Sequence, residues 1–223
     1  GAPLVPEFHN ELFYKKGSPR IILNLGGIAN YTYVSNRKNL WGSDVGPGNA
    51  LLDAYCQKFL DKSFDKDGRI ASKGKIYKPE LQKLLSNKFF KKSFPKSTGK
   101  ELFNLSMLSR KFIKESSEDV LATLTEFTAL CVANAIKQNN HKFDEIIICG
   151  GGGNNKFLLK RISNLIQRDA ALSSNLGYNI QAIESMAFAW LGYKRLANQP
   201  LRIQLGKDKF NRGLLGSIAK SKQ

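Results

Sequence analysis

One carboxylate in the sequence stands in a setting suited to proton transfer. Asp44 follows a short strand-like stretch and lies in the segment Gly-Ser-Asp-Val-Gly-Pro-Gly-Asn at 42–49, where Pro47 stiffens the backbone and its two flanking glycines let it turn. A carboxylate fixed at a strand end, beside the start of a helix, can accept a proton from a water or a hydroxyl group. The alternative is that Asp44 or Asn49 only caps the following helix. This segment alone leaves both interpretations open.

Two glycine-rich turns follow apolar stretches. Gly26 and Gly27 come after the run 20–25, and Gly150 to Gly153 come after the run 145–149. Backbone N–H groups in turns without side chains can approach a phosphate, and a helix N-terminus after the second turn favours an anion. The alternatives are an ordinary hairpin turn and a flexible strand-to-helix connection. Neither turn has the spacing of a Rossmann fingerprint or a Walker motif.

Other polar segments carry weaker signals. Residues 95–101 look superficially like a phosphate loop but lack its first glycine, so a turn with surface lysines is expected. Glu184 stands near the start of a helix rich in small and aromatic residues, where a packing helix with a favourable N-terminal carboxylate is the alternative to a ligand site. His9 and His141 have no acidic partner at useful spacing. The sequence shows no metal-binding cluster.

Composition limits the function classes. The 223 residues carry a net charge of +17, but the lysines lie in short scattered groups rather than in a basic tail. We therefore expect no nucleic-acid partner. No apolar run reaches the roughly 18 residues needed to span a bilayer, so no membrane partner is expected. The three cysteines, Cys56, Cys131 and Cys149, are widely spaced in apolar contexts, which favours buried thiols and a cytoplasmic location.

Hydrophobic periodicity predicts an α/β fold. Strands are expected over 20–34, around the first glycine turn, and over 40–43 and 145–149. Helices are expected over 50–60, 118–138, 156–167 and 181–197, with weaker helical patterns at 79–86 and 102–114 in a charged stretch. The sequence after Pro200 is basic and less patterned. This order of elements favours a mixed sheet flanked by helices.

Taken in order, these segments resemble the anhydro-N-acetylmuramic acid kinase family over nearly the full length. The residues that carry the resemblance are GAPLVPEFH (1–9), LNLGGIAN (23–30), GSDVGPGNALLDAY (42–55), DKDGRIASKG (65–74), FPKSTGKELFN (94–104), DVLATLTEFTA (119–129), CGGGGNN (149–155) and ESMAFAWL (184–191). The resemblance implies the ribonuclease-H-like fold of actin-like ATPases and sugar kinases. It also implies that the chain is the C-terminal half of such an enzyme.

The resemblance gives each part of the chain an expected place. The expected units are a connector with a lead-in helix at 1–19, a ribonuclease-H-like nucleotide-binding domain at 20–60 and 118–200, a mostly helical insertion at 61–117, and a C-terminal tail at 201–223. The family's N-terminal kinase domain, with its first phosphate-binding loop, is expected to be absent from this chain.

The resemblance also implies roles and partners. Asp44 would be the catalytic base on a water that attacks C1 of the 1,6-anhydro sugar, after which O6 takes the γ-phosphoryl group of ATP with Mg²⁺. Glu184 and Asn49 would contact the amino sugar. The implied ATP-binding residues are Gly26, Gly27, Gly150, Gly151, Gly152, Gly153 and Asn154. The implied product is N-acetylmuramic acid 6-phosphate, in peptidoglycan recycling, and the implied full-length assembly is a homodimer.

The chain departs from the family pattern beside the expected base. Ser43 stands where the family has Phe or a similar residue, and Val45 stands where it has Thr. With the absent N-terminal domain, these changes lead to the expectation that the chain is inactive alone. Two other hypotheses remain open: a non-catalytic remnant or interaction module of a shortened kinase gene, and a basic nucleic-acid binder.

Overall fold

A computed structural model describes residues 4–36, 40–99, 101–138, 141–204 and 210–219. Lys100 of the segment 95–101, and the lysines at 220 and 222, lie outside the described residues. The chain begins with helix α1 (Pro6–Phe13), in which proline occupies the first turn. Proline suits this position because its missing N–H would have no partner inside the helix.

The apolar stretches predicted as strands form a five-stranded sheet. Its strands are β1 (Arg20–Leu25), β2 (Ala29–Val34), β3 (Trp41–Gly46), β4 (Glu145–Cys149) and β5 (Ala171–Leu172). The order across the sheet is β3-β2-β1-β4-β5, with β2 antiparallel to both neighbours and β4 parallel to β1 and β5. The predicted mixed sheet is confirmed, and the short β5 was not expected from the sequence.

Apart from the short α4, which was not expected from the sequence, the helices lie in the predicted order. They are α2 (Ala50–Phe59), α3 (Lys78–Leu85), α4 (Lys88–Lys91), α5 (Ser117–Gln138), α6 (Lys156–Ile166) and α7 (Ile183–Leu196). The predicted helix at 102–114 is reduced to two single 3₁₀ turns, Leu105–Met107 and Phe112–Lys114. Among the described residues, α5 is the one helix long and apolar enough to cross a membrane, but 83% of its most apolar stretch is buried in the protein. It is the central helix of the core.

Helices cover both faces of the sheet. One face packs against α5 and α6 through Leu23, Leu25, Tyr31 and Ile148, among others. The salt bridge from Arg161 to Glu126, at 2.6 Å, ties α6 to α5, and its hydrogen bonds raise the pKa of Arg161. The opposite face packs against α1 and α7 in a smaller apolar cluster. The sheet is therefore enclosed on both sides, as its apolar strands require.

A second core lies beside the sheet. Residues of the charged stretch, including Leu84, Phe89, Phe103 and Phe112, pack against one side of α5 and against α2. The three cysteines are all buried and free, which confirms their predicted role as buried thiols. Burial raises the pKa of each of these thiols. The division of the chain into a nucleotide-binding domain and an insertion stays a prediction.

The segment expected to be a weakly patterned tail contains a strand pair. Strand β6 (Leu201–Gln204) pairs antiparallel with β7 (Phe210–Gly213). The side chain of Gln204 accepts a hydrogen bond at 2.8 Å from the N–H of Gly42 on β3. This contact between residues far apart in the chain attaches the strand pair beside the edge of the main sheet, which local patterning could not indicate.

Candidate functional site

A row of polar residues crosses the sheet on the face covered by α1 and α7. Asn24 on β1 is paired with Asn30 on β2, and Asn30 is paired with Asp44 on β3. Directly paired residues on neighbouring strands point to the same face. The three side chains therefore form a continuous row near the end of the sheet where β1, β3 and β4 finish. Because the row depends on the register of three strands, it could not be predicted from the sequence.

Asp44 lies at one end of the row in a closely bonded setting. Its residue is only 4% exposed. Its Oδ2 accepts a hydrogen bond of 2.8 Å from the N–H of Thr98, and its own N–H donates to the carbonyl of Lys96 at 2.9 Å. Asp44 is thus part of strand β3, not a helix cap. The capping alternative for Asp44 is wrong.

The partner of Asp44 is the segment predicted to be a turn with surface lysines. Residues 96–98 run along the outer edge of β3, where the N–H of Lys96 donates to Oγ of Ser43 at 2.9 Å. Lys96 is only 8% exposed. The prediction of a surface lysine here is therefore wrong. Aromatic side chains surround Lys96, and their positions in the sequence did not show that they form a cluster.

A cavity of about 40 Å³ opens beside the other members of the row. His9, Asn24, Asn30 and Glu184 contribute its polar lining, and α7 contributes apolar side chains. Among the described residues, the Oδ1 of Asn30 is buried without a hydrogen-bond partner. A buried acceptor of this kind is costly in a folded protein and points to a ligand or water at this place.

His9 is a neutral polar group in the wall of this cavity. Its Nδ1 lies 2.8 Å from Oγ1 of Thr32, and burial lowers the pKa of His9 to about 3. The sequence assigned no role to His9, because its partners come from β2 rather than from nearby residues. A neutral imidazole next to two amide side chains suits uncharged hydroxyl or amide groups better than a second carboxylate.

Glu184 lies in the first turn of α7 and lines the same cavity from an exposed position. The structure therefore brings Glu184 to the same cavity as Asn24 and Asn30. The alternative of a buried packing helix is wrong for most of α7, in which Ile183 and Ala187 are buried while Phe188 is 63% exposed.

The predicted phosphate-binding turns meet at the same end of the sheet. Asn49 and Ala50, at the start of α2, donate their N–H groups to the carbonyls of Gly26 and Gly27 at 2.9 and 3.0 Å. Gly48 has a φ of +52°, and a Cβ there would collide with the carbonyl of Gly26. The hairpin turn and the loop after β3 are therefore locked together, with glycine required at the contact.

The second glycine segment packs against the same hairpin. Gly150 has a φ of +83° and donates its N–H to the carbonyl of Ile180 at 2.9 Å. A Cβ on Gly152 would come within 2.9 Å of the side chain of Asn49. Gly151 alone of these four glycines has open space where a Cβ would stand. Close packing explains much of this glycine run, and Gly151 is the member free to face a ligand.

Asn49 and Asn154, which were predicted to contact the sugar and ATP, also have places in the local structure. Nδ2 of Asn49 donates to the carbonyl of Leu25 at 3.2 Å, and Asn49 makes no side-chain cap. It holds the loop after β3 to the end of β1. Asn154 ends the 3₁₀ turn Gly151–Asn154 and is exposed, and the neighbouring Asn155 caps α6 by accepting from the N–H of Leu158 at 3.0 Å.

The donor set is consistent with a metal ion that arrives with a nucleotide. Among the described residues, no group of three or more His, Cys, Asp or Glu side chains could hold a metal ion. Magnesium, however, usually binds through one or two carboxylates together with substrate phosphates. Asn24 offers an amide oxygen two residues before Gly26. An amide oxygen can serve as a single protein ligand to such an ion.

Solved structures identify the class of fold. Xylulose kinase from Rhodospirillum rubrum matches with a TM-score of 0.53 at 13% identity, over 85% of this chain and 40% of that one. An activator of 2-hydroxyisocaproyl-CoA dehydratase from Clostridium difficile, with bound ADPNP, matches with a TM-score of 0.51 at 14% identity, over 88% and 68%. The protein has the ribonuclease-H-like fold of actin-like ATPases and sugar kinases.

Sequence comparison identifies the family within that class. The family model of anhydro-N-acetylmuramic acid kinase matches residues 1–221. Proteins of that name are 60% identical over 222 residues in Gamma-proteobacterium EBAC31A08, and 40% identical over 222 residues in Pseudomonas syringae pv. syringae (strain B728a). The chain belongs to the anhydro-N-acetylmuramic acid kinase family, as the resemblance predicted.

The match is partial with respect to the relatives. It includes 100% and 98% of this chain but 61% of the length of each of the two relatives. The comparisons do not support the finer expectations that the chain is the C-terminal half of the family's enzyme and that it is inactive alone.

Proposed function

We propose that the protein is an ATP-dependent kinase that opens 1,6-anhydro-N-acetylmuramic acid with water and phosphorylates the freed O6. The product is N-acetylmuramic acid 6-phosphate, formed in the cytoplasm during peptidoglycan recycling. Family membership supports this reaction. One observation assigns the reaction to particular residues. The buried carboxylate of Asp44 stands at the end of the polar row, and the row leads to a cavity in which Oδ1 of Asn30 has no hydrogen-bond partner.

Asp44 acts as the general base in the proposed reaction. It accepts a proton from water while the water oxygen forms a bond to C1 and the bond between C1 and O6 breaks. The electron pair of that bond stays on O6, which then bonds to the γ-phosphorus as ADP leaves. The N–H of Thr98 donates to Oδ2 at 2.8 Å and so holds the carboxylate in one orientation, as a general base requires.

The cavity beside the row receives one edge of the sugar in this proposal, because about 40 Å³ is too small for the whole molecule. His9, Asn24 and Asn30 offer uncharged hydrogen-bonding groups, the apolar residues of α7 lie opposite, and Glu184 stands at the opening. An N-acetylated sugar presents hydroxyl, amide and methyl groups that match such a lining. Asn49 contributes through the position of its loop, with its Oδ1 as the atom for a substrate contact.

ATP lies at the end of the sheet where the glycine turns meet. Gly26 and Gly27 flank the phosphates, while Gly150 to Gly153 and Asn154 flank the adenosine, with Gly151 as the exposed position. Mg²⁺ supplies charge neutralisation on the phosphates when it is bound. In phosphoryl transfer of this kind, positioning and charge neutralisation provide most of the rate enhancement.

Isotope labelling tests the proposed reaction directly. The longest protein encoded by the gene is incubated with ATP and 1,6-anhydro-N-acetylmuramic acid in H₂¹⁸O. The expected product carries one ¹⁸O at C1 and a phosphate on O6, together with one ADP for each sugar consumed. As a control, N-acetylmuramic acid phosphorylated by an ordinary 6-kinase acquires no label in the transfer step. A phosphorylated sugar that retains the anhydro bridge contradicts the proposal.

The remnant hypothesis makes the opposite prediction for the same assay. A non-catalytic module forms neither ADP nor labelled product, although it keeps the fold. Binding of ATP, measured by calorimetry in the presence of Mg²⁺, separates a nucleotide-binding remnant from a module that has lost the site. The homodimer, and the absence of nucleic-acid and membrane partners, stay predictions that light scattering and binding assays can check.

A further inference from the structure

Lys96 is an unusual residue to find buried. Its ammonium group donates hydrogen bonds to the carbonyls of Phe89, at 3.1 Å, and Lys92, at 3.4 Å. It also lies 4.5 Å from the ring centres of both Phe89 and Phe94. Phe89 lies in α4, which is a single turn, and Lys92 is the residue that ends it. Burial is the main cause that lowers the pKa of Lys96.

A buried cation needs a reason, because an apolar side chain of similar length would avoid the cost of removing charge from water. Hydrogen bonds to carbonyls and contacts with ring faces have defined directions, whereas apolar packing is tolerant of small shifts. These contacts restrict the position of the Lys96 ammonium group and, through the side chain, that of its backbone. That backbone is the one bonded to β3.

The backbone of residues 96–98 surrounds Asp44. The carbonyl of Lys96 accepts from the N–H of Asp44 at 2.9 Å, and the N–H of Lys96 donates to Oγ of Ser43 at 2.9 Å. Two residues further on, the N–H of Thr98 donates to Oδ2 of Asp44 at 2.8 Å. A displacement of Lys96 would therefore move both the strand and the carboxylate of Asp44.

We propose that Lys96 is a positioning residue for Asp44: its ammonium group, held by the end of α4 and by the rings of Phe89 and Phe94, fixes the segment whose Thr98 amide orients the carboxylate. This inference rests on the proposed role of Asp44 as the base. It adds a residue that does not touch the reacting atoms. Small errors in the position of a catalytic group can reduce turnover by about 100-fold.

The first test compares Lys96→Met with Lys91→Met in the longest protein encoded by the gene. Both substitutions remove one ammonium group and keep the length of the side chain, but Lys91 is exposed and lies on α4, whereas Lys96 is buried in the segment after that helix. Lys96→Met is expected to lower kcat by about 10- to 100-fold while KM for sugar and for ATP stays within about twofold. Lys91→Met is expected to keep the parent's kcat.

The second test measures the coupling without turnover. Hydrogen exchange of the Thr98 amide, followed by ¹⁵N NMR, is expected to be about tenfold faster in Lys96→Met than in the parent and unchanged in Lys91→Met. Should Lys96→Met fail to fold, as judged by thermal unfolding and ATP binding, Ser43→Ala probes the same contact. It removes the Oγ that accepts from Lys96 and is expected to change kcat and Thr98 exchange in the same direction.

The outcomes separate the two proposals. An unchanged kcat in Lys96→Met, or a Thr98 amide that remains as protected as in the parent, overturns the positioning role. A large rise in KM with an unchanged kcat also overturns it, because that result indicates a general loss of the binding site. Full turnover in Asp44→Asn would instead remove the base from the proposed function, while the exchange measurement would still decide whether Lys96 holds the Thr98 amide.

Discussion

The two faces of the five-stranded sheet are built from the same strands and have different chemistry. Toward α5 and α6, the strands present apolar side chains such as Leu23 and Ile148. Toward α1 and α7, the same strands present Asn24, Asn30 and Asp44 at their ends. Alternation along a strand makes this possible, because adjacent residues point to opposite faces.

The difference separates a face that stabilises the fold from a face that carries the residues of the proposed site. Removing apolar surface from water stabilises the protein by about 25 cal/mol per Å², and the α5 and α6 face does this through aliphatic and aromatic side chains, with no buried carboxylate or imidazole among the described residues of that cluster. On the other face, a buried His9, a buried Asp44 and an unpaired Oδ1 of Asn30 reduce that stabilisation. A cost of this kind is typical of functional sites.

The largest expected effect comes from the polar face. Asp44→Asn should lower turnover of the anhydro sugar by about 10³-fold, because a general base contributes on the order of 10²- to 10⁴-fold. The amide keeps an oxygen for the N–H of Thr98, so the thermal midpoint should stay close to the parent's value. Steady-state kinetics and thermal unfolding measure the two quantities. Retention of turnover would remove Asp44 from its role.

A substitution on the apolar face should have the opposite profile. Leu23→Ala should lower the free energy of unfolding by about 2–5 kcal/mol, because Leu23 is fully buried and the cavity cannot close completely. Urea unfolding measures the change. Leu196→Ala, at a position that is 76% exposed, serves as the control and should change stability by less than about 0.5 kcal/mol. Equal losses in the two variants would contradict the division between the faces.

The polar face should also make the fold sensitive to acid. His9 has a pKa of about 3 in the folded protein and a reference value of 6.5, so below pH 6.5 the unfolded chain binds a proton that the folded protein does not. The stability present above pH 6.5 should therefore fall by about 1.4 kcal/mol per pH unit, giving a loss of about 2 kcal/mol at pH 5.

Histidine variants isolate that contribution. Urea unfolding at pH 7 and pH 5 should show a loss that is about 2 kcal/mol smaller in His9→Gln than in the parent. The chain has one other histidine, the exposed His141, and the comparison is therefore repeated in a His141→Gln background, where His9 is the only histidine. If His9→Gln loses as much stability as the parent between these pH values, His9 is not kept neutral by burial.

The smallest expected effect is a gain in stability at the cost of function. Asn30→Leu removes a buried acceptor without a partner and should raise the free energy of unfolding by about 1 kcal/mol. It should also weaken binding of the anhydro sugar, measured by calorimetry in the presence of a nonhydrolysable ATP analogue. Asn134→Leu, at an exposed position on α5, should change neither quantity appreciably. Loss of stability in Asn30→Leu would indicate that Asn30 is a structural residue.

Helices and strands that depend on local patterns were predicted from the sequence, whereas those that depend on contacts between distant residues were not. The strands β1, β2 and β4 and helix α5 have strong periodic patterns and were predicted from them, whereas β3 continues past the predicted 40–43 to Gly46 and includes Asp44, which was predicted to lie in a loop. The residues at 102–114 have helical composition but form only isolated 3₁₀ turns, because packing of Phe103 and Phe112 into the second core overrides local preference. The short β5 depends on pairing with β4 and has too few residues to show a pattern.

The site residues also differ in how far the sequence reveals them. Asp44 and the glycine turns stand out locally, because a carboxylate between glycines and runs of glycine are unusual in sequence. His9, Thr32 and Asn30 do not, since each has an ordinary neighbourhood along the chain. One sequence signal for Asn30 was available. It lies two residues before Thr32 in the strand after Gly27, and residues two apart in a strand point to the same face.

The sequence by itself determined the family, the mixed α/β sheet and the segments that carry Asp44 and the glycine turns. These features are encoded in short stretches of residue types and in hydrophobic periodicity, which can be read along one strand or helix. The tertiary structure alone decided that Lys96 is buried beside three aromatic rings, that Thr98 holds Asp44, and that His9 and Asn30 share a cavity with Glu184. The physical reason is that these contacts join distant parts of the chain, so they depend on strand register and helix packing.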